Sequence, residues 1–335
     1  MPSLTSSRTE GLTLPDPALD ARVTRGMVAV EALLRESVVS EYPFVTGAAR
    51  HLVDAGGKRF RPLLTLLAAQ FGDAAAAEVI RAAVVVELTH LATLYHDDVM
   101  DEAALRRGAA SANARWDNTI AILTGDFLFA RASDLLADLG PEAVRIQART
   151  FERLCTGQIR ETVGPADGED PIGHHVSVLA DKTGSLIATA GRFGAMMAGA
   201  PPDIVETMAR FGERIGVAFQ LADDLVDIGS EHAQSGKTPG TDLREGVATL
   251  AVLYARQSTS PEDARLIELT AGPIHDDADH AEALALLRGH AAMGRARAEA
   301  RRWADEARSA ALTLPAGPSR DALVILCDYV VDRSG

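Results

Sequence analysis

The sequence predicts an all-α fold, a single-domain helical bundle, and three observations carry that reading. Helix formers dominate from about Ala21 onward: Ala, Leu, Arg and Glu. Apolar residues recur at helical spacing, as at Val28, Leu33 and Leu34 or at Leu284, Leu286 and Leu287. No period-two segment flanked by turn signals stands out.

Residues 1–20 are rich in Ser, Thr, Pro and Asp and read as a flexible tail ahead of one domain, 21–335. Short breaks then punctuate the helices: DAGGKR (54–59), LGPE (139–142), GPADGEDPIG (164–173), GAPPD (199–203) and AGPIHDD (271–277). The longest polar, Gly-rich stretch, GSEHAQSGKTPGTDLREG (229–246), reads as a mobile loop. It is no domain linker, because chemistry-bearing residues flank it on both sides. No fixed-period repeat is evident.

The chain has 335 residues, 47% of them apolar, so it can bury a large core. Lys and Arg total 33 against 47 Asp and Glu, a net charge of −14. That balance argues against nucleic acid, whose phosphates demand a basic face. Small anions are not excluded, because a local Arg/Lys cluster or a metal inverts the local sign. The two cysteines, Cys155 and Cys327, match no metal spacing and point to a reducing compartment. No apolar run is long enough to span a membrane, and the first ten residues lack the apolar core of a secretory signal. The expected location is the cytoplasm.

The segment RAAVVVELTHLATLY reads as a buried helix, yet it runs directly into HDDVMDE. On a helical wheel Asp97 and Asp101 lie about 40° apart, one turn apart along the axis. His90 falls between them in angle, further back along the helix. Two such carboxylates repel unless a cation lies between them. Carboxylate oxygens are hard ligands suited to Mg²⁺. A solvated helix end with acids by accident explains this motif about equally well.

The second stretch, FQLADDLVD (219–227), changes the balance. Asp223, Asp224 and Asp227 repeat the spacing of Asp97, Asp98 and Asp101. Gln220 shares their face, while Leu221, Ala222, Leu225, Val226 and Ile228 fill the rest. A narrow acidic stripe on a buried helix is costly unless it holds something. Two such stripes suggest two helices facing each other across a cavity, with six carboxylates for several Mg²⁺ ions.

Cationic partners are present too. GGKRFRP (56–62) places Lys58, Arg59 and Arg61 after a glycine turn, and Arg forks match phosphate oxygens. Arg106 and Arg107 follow the first acidic motif, and Lys182 and Lys237 stand beside small residues. Metals at one pole and Arg/Lys at the other fit two diphosphate substrates. HDDADH (275–280) is a decoy: Asp276 or Asp277 reads as a helix N-cap. His174 and His175 read as loop residues without zinc-ligand spacing.

GGKRFRP, HDDVMDEAALRRG, Gly157-Gln158, KTGS (182–185), FQLADDLVD and GKTPGTDLREGVATL occur in the order seen in trans-isoprenyl diphosphate synthases. The chain resembles that family from about Val28 to its C-terminus. The resemblance implies a helical catalytic domain around a deep central cavity, and a homodimer. It implies head-to-tail condensation of isopentenyl diphosphate onto an allylic diphosphate. By position, Asp97, Asp98, Asp101, Asp223, Asp224 and Asp227 would hold Mg²⁺ on the allylic diphosphate. Arg106, Lys182 and Lys237 would back that diphosphate. Lys58, Arg61, His90 and Arg107 would bind isopentenyl diphosphate, and Thr183 and Gln220 would flank the reacting carbons. The chain departs from the pattern at Val247 and Ala251, where the family often has lysine and proline.

In the resembling family, bulk just before the first acidic motif shortens the product. Here those positions are Ala92 and Thr93, both small, which implies a medium- or long-chain product such as a quinone side-chain precursor. Tyr95 should point away from Asp97. A short-chain farnesyl or geranylgeranyl synthase is the alternative for length. A terpene cyclase would share the first motif but usually not a second DDxxD. A non-catalytic subunit typically loses aspartates that this chain keeps. A structural bundle with acidic patches would tolerate loss of Asp97 and Asp223.

Overall fold

Prolines and short acidic side chains set where the helices begin. Asp16 accepts a hydrogen bond from the Leu19 amide at 2.6 Å, and Pro17 opens the first helix. Asp117 and Asp170 cap two later helices in the same way. The computed structural model describes residues 14–229 and 239–332.

In chain order the helices are α1 (Pro17–Ser37), α2 (Pro43–Asp54), α3 (Phe60–Ala68), α4 (Ala77–Met100), α5 (Ala112–Arg115), α6 (Asn118–Ala137) and α7 (Pro141–Val163). Then come α8 (Pro171–Leu179), a π-helical turn (Ala180–Gly184), α9 (Ser185–Met197), α10 (Pro202–Gly229), α11 (Thr241–Glu245) and α12 (Leu250–Arg256). The last are α13 (Ala264–Leu269), α14 (Asp277–Gly289), α15 (Ala291–Ala311) and α16 (Pro318–Asp332). The all-α expectation holds, and every short break read from the sequence falls at a helix junction. Asp276 is the N-cap of α14, accepting from the Ala278 and Asp279 amides at 2.8 and 3.0 Å.

Several expectations need correction. The tail was expected to reach residue 20, but α1 starts at Pro17 and Leu19 is fully buried, because Asp16 and Pro17 together start a helix there. Val28 is 60% exposed, and the buried stripe of α1 runs through Val23, Val30 and Leu34 instead. Helix α11 lies inside the stretch read as a loop, closed at both ends by glycines in left-handed backbone, Gly240 and Gly246. His174 and His175 belong to α8. A two-stranded hairpin, β1 (Leu105–Arg106) and β2 (Ala109–Ala110), is too short to show a period of two in sequence.

By its internal contacts the chain divides into two compact units. The first comprises Met1–Glu152, Leu186–Gly212 and Ala310–Leu326; the second Arg153–Ser185, Glu213–Ser309 and Cys327–Gly335. Helical periodicity reports which face is buried, not which helices share a core. In the first unit α4 is central, packed by α1, α3 and α6. Leu34, Leu52, Leu88, Leu91, Tyr95 and Leu128 form its fully buried cluster. In the second, α12 contacts α8, α13 and α14, and Leu221, Leu250, Leu287 and Ala300 are buried.

Close helix packing in the first unit relies on missing side chains. A Cβ on Gly194 of α9 would run into the Thr65 carbonyl of α3, well inside van der Waals contact. That atom is backbone and has no rotamer to yield. Gly194→Ala is expected to cost at least about 1–3 kcal/mol, read as a lowered urea midpoint with secondary structure retained in the surviving native state.

Candidate active site

The first acidic motif sits at the wrong end of its helix. Asp97 and Asp98 occupy the last turn of α4 and Asp101 is its C-cap, where the helix dipole disfavours negative charge. The chain answers with arginine. Asp98 is fully buried, and its Oδ1 accepts from Arg106 Nε at 2.6 Å. Its Oδ2 is buried without a hydrogen-bond partner among the described residues. Burial pushes the Asp98 carboxyl above its ordinary pKa, and Arg106 opposes that. Arg106 Nη2 also lies 3.9 Å from Asp101 Oδ2. Asp97 is half-buried and Asp101 exposed.

The hairpin explains how adjacent arginines serve different ends. Its turn residues, Arg107 and Gly108, both have positive φ, 54° and 75°, as a two-residue hairpin turn requires. Arg106 reaches Asp98, while Arg107 turns to the Leu52 carbonyl at 3.0 Å and to the Gly56 carbonyl. Gly57 has a φ of 130°, which favours glycine, and the end of the Arg107 side chain packs against it.

The GGKRFRP loop separates structural from available cations. Arg59 is buried and saturated: Nε to Glu31 at 2.6 Å, Nη1 to Glu87 at 2.9 Å, Nη2 to the Val53 carbonyl at 2.9 Å. Lys58 is exposed. Arg61 keeps a buried Nε with no hydrogen-bond partner among the described residues, and burial lowers its pKa to about 10, Glu87 opposing the effect and Arg107 adding to it. His90 is held well below its ordinary pKa by burial and by the charges of Arg61 and Arg107. Arg107 lies 4.0 Å from Glu87. Arg61 and Arg107 thus crowd two positive charges near Glu87, with the neutral His90 imidazole beside them, an arrangement that an anion would relieve. Glu31 and Glu87 were missed in the sequence, although a lone acid in RAAVVVELTH is itself a signal.

The second motif ends α10 inside the second unit. Gln220, Asp223, Asp224 and Asp227 are all half-buried, while Leu221, Ala222, Leu225 and Ile228 are buried, as the acidic-stripe pattern predicts. Thr183 Oγ1 donates to Gln220 Oε1 at 3.1 Å, and Gln220 Nε2 donates to Asp224 Oδ1 at 3.0 Å. Asp227 accepts the Asp242 amide at its Oδ2 (3.3 Å), and its carbonyl accepts the Gly240 amide (2.9 Å). Lys182 and Thr183 ride on the π-helical turn, a deviation common at functional sites. Lys182 Nζ pairs with Glu161 at 2.5 Å, a partner the sequence reading missed. Gly157 makes room for this turn, since a Cβ there would meet the Lys182 amide nitrogen at 2.9 Å. Ala251 is buried in the first turn of α12, and the Val247 amide donates to the Asp242 carbonyl at 2.8 Å. Lys237 lies outside the described residues.

The donor set is all hard oxygen. Among the described residues no three acidic, histidine or cysteine side chains converge on one metal position. One or two carboxylates, completed by water and substrate phosphate, is the way Mg²⁺ is usually held, so the residues fit that ion in company with a diphosphate.

A family model, polyprenyl synthetase, matches residues 42–287. The chain belongs to the polyprenyl synthetase family. It is 51% identical to a nonaprenyl diphosphate synthase of Mycobacterium tuberculosis, over 97% of each chain. It also resembles the crystal structure of geranylgeranyl pyrophosphate synthase from Corynebacterium glutamicum complexed with calcium and isoprenyl diphosphate. That match has TM-score 0.86 and 48% identity, covering 96% of this chain and 99% of that one. A decaprenyl diphosphate synthase from Rhodobacter capsulatus matches with TM-score 0.86 and 36% identity, over 95% of this chain and 99% of that one. No described helix of this family member is long and apolar enough to cross a membrane.

Two outcomes follow for the family's acidic and basic motifs here. Arg59→Ala leaves Glu31 and Glu87 without their main partner and should cost about 3–5 kcal/mol in urea unfolding. Burial raises the Asp224 pKa to about 7, opposed by its Gln220 hydrogen bond and helped by Asp223, Asp227 and Glu161 nearby. A carboxyl raised on folding stabilises while protonated and loses that contribution as pH climbs through its folded pKa. Without divalent metal, unfolding free energy should fall from about pH 4 to pH 7, and Asp224→Asn should flatten that slope.

Proposed function

We propose that this chain is a Mg²⁺-dependent trans-prenyltransferase. It condenses isopentenyl diphosphate head-to-tail with an allylic diphosphate and releases a long-chain all-trans polyprenyl diphosphate. The observation that carries the reading is the pair of cations Arg61 and Arg107 near Glu87, with the neutral His90 imidazole beside them, an arrangement suited to an anion. With Lys58 it takes the isopentenyl diphosphate. Asp97, Asp101, Asp223 and Asp224 hold the metal ions of the allylic diphosphate. Asp98 aims Arg106 at that diphosphate, and Asp227 anchors the segment that resumes at residue 239. Lys182 and Lys237 complete the diphosphate's cationic backing, with Lys182 exchanging Glu161 for phosphate oxygen.

Bound Mg²⁺ would supply positive charge to the leaving diphosphate. Arg106 and Lys182 stabilise the same developing anion, Lys182 once it has left Glu161. Thr183 and Gln220 present uncharged oxygen dipoles to the allylic cation, and apolar walls keep water away from it. Attack by the isopentenyl double bond then depends on proximity. The departing diphosphate takes the final proton, so no side-chain base is required.

Small residues before Asp97 support a long product. Ala92 is fully buried, and Thr93, also buried, donates its Oγ1 hydrogen to the His90 carbonyl at 2.8 Å. Tyr95 is turned into the core, its hydroxyl donating to the Ala48 carbonyl at 2.6 Å. The names of the nonaprenyl and decaprenyl relatives agree, whereas that of the Corynebacterium relative favours a geranylgeranyl product. Cytoplasmic location and a homodimer complete the proposal; exposed Ile122 and Leu123 on α6 are apolar positions open to a second copy.

Purified enzyme incubated with labelled isopentenyl diphosphate and an allylic primer should yield products longer than geranylgeranyl diphosphate. A farnesyl end product would refute the long-chain reading. Ala92→Phe should shorten the product, at a cost of about 1–3 kcal/mol in stability because Ala92 is fully buried. Asp97→Ala and Asp223→Ala should each lower kcat by about 10²–10³ or more, whereas a purely structural bundle would tolerate both.

A further inference from the structure

Two histidines stand side by side on α8, and their surroundings differ. His174 is engaged at both ring nitrogens: Nδ1 meets Glu169 Oε1 at 3.0 Å and Nε2 meets the Arg160 carbonyl at 3.2 Å. His175 Nε2 is buried and has no hydrogen-bond partner among the described residues. It lies 4.0 Å from Asp224 Oδ2, with the two side chains 13% and 12% exposed. A buried ring nitrogen without a partner is uncommon in a folded chain and asks for a reason.

The other oxygen of the same carboxylate supplies the context. Asp224 Oδ1 accepts from Gln220, and Gln220 accepts from Thr183 on the π-helical turn. A carboxylate held through one oxygen can swing about that bond, and a donor on the second oxygen fixes its plane. His175 is the buried nitrogen on that side. Closing the gap to a charge-assisted hydrogen bond of about 2.8 Å takes a side-chain rotation of roughly 1 Å.

We propose that His175 is a positioning residue of the second acidic motif: its Nε2–H donates to Asp224 Oδ2 and completes the line Thr183–Gln220–Asp224–His175. The imidazole touches neither substrate nor metal. It sets the direction from which Asp224 offers oxygen to a divalent cation, and so the inference rests on the role of Asp224 proposed above.

The test compares His175→Phe, which keeps the ring and removes the donor, with His175→Gln, which keeps a donor. Binding of an inert allylic thiolodiphosphate is followed by calorimetry at several Mg²⁺ concentrations, beside kcat and each KM. Loss of one charge-assisted hydrogen bond should weaken Mg²⁺-dependent analogue binding about tenfold in His175→Phe. Melting temperature and the KM for isopentenyl diphosphate should hold, and His175→Gln should regain most of the loss. If His175→Phe does not fold, His175→Ala with added imidazole replaces it, and imidazole-dependent recovery is expected. Wild-type binding by His175→Phe, equal loss in both variants, or no imidazole recovery in His175→Ala would overturn the role of His175 alone. Absence of Mg²⁺-dependent binding in the wild type would overturn the function proposed above, and this inference with it.

Discussion

A single buried carboxylate, Glu87, meets two guanidinium groups in the first unit: Arg59 at 2.9 Å and Arg107 at 4.0 Å. A charge this deep is tolerated only when its partners are close and themselves satisfied. Arg59 is satisfied by Glu31 and by the Val53 and Gly56 carbonyls, Arg107 by the Leu52 and Gly56 carbonyls. That network ties the α2–α3 loop to the middle of α4 and holds the loop in left-handed backbone at Gly56, Gly57 and Arg59. Arg59 is spent on structure. Lys58 and Arg61, on either side of it, carry the cationic surface. Much of the anion-binding group depends on where one glutamate sits.

Both acidic motifs close their helices at the C-terminal end, α4 at Asp101 and α10 near Gly229. Peptide dipoles there disfavour carboxylates. The chain offsets part of the cost, with Arg106 on Asp98, Gln220 on Asp224 and the Asp242 amide on Asp227. Burial still disfavours the charged form of Asp224, whose pKa is raised.

Much of this was legible in one dimension. The helix breaks were, because proline, glycine and capping aspartate act within a few residues of themselves, as at Asp16-Pro17 and Asp276. The acidic face of α10 was also legible, since four residues at helical spacing share a side whatever lies opposite. What escaped depends on partners far along the chain. Glu31 reaches Arg59 across 28 positions and Glu161 reaches Lys182 across 21, and no local pattern announces either pair. The hairpin at Arg107 escaped because strands of two residues have no periodicity to read. The histidines of α8 looked like loop residues because the break before them ends only at Pro171.

By itself, the sequence determined the helical class, the order of the elements, the family and which residue types carry the chemistry. Those follow from covalent spacing, backbone preference and the order of the motifs along the chain. Tertiary structure decided which carboxylate holds an arginine and which offers oxygen, and why Asp98 is buried while Asp101 is exposed. It also decided that Arg59 serves the fold and Arg61 the anion-binding group. Burial and pairing distance set the energy of a charge, and both come into being only when distant segments pack.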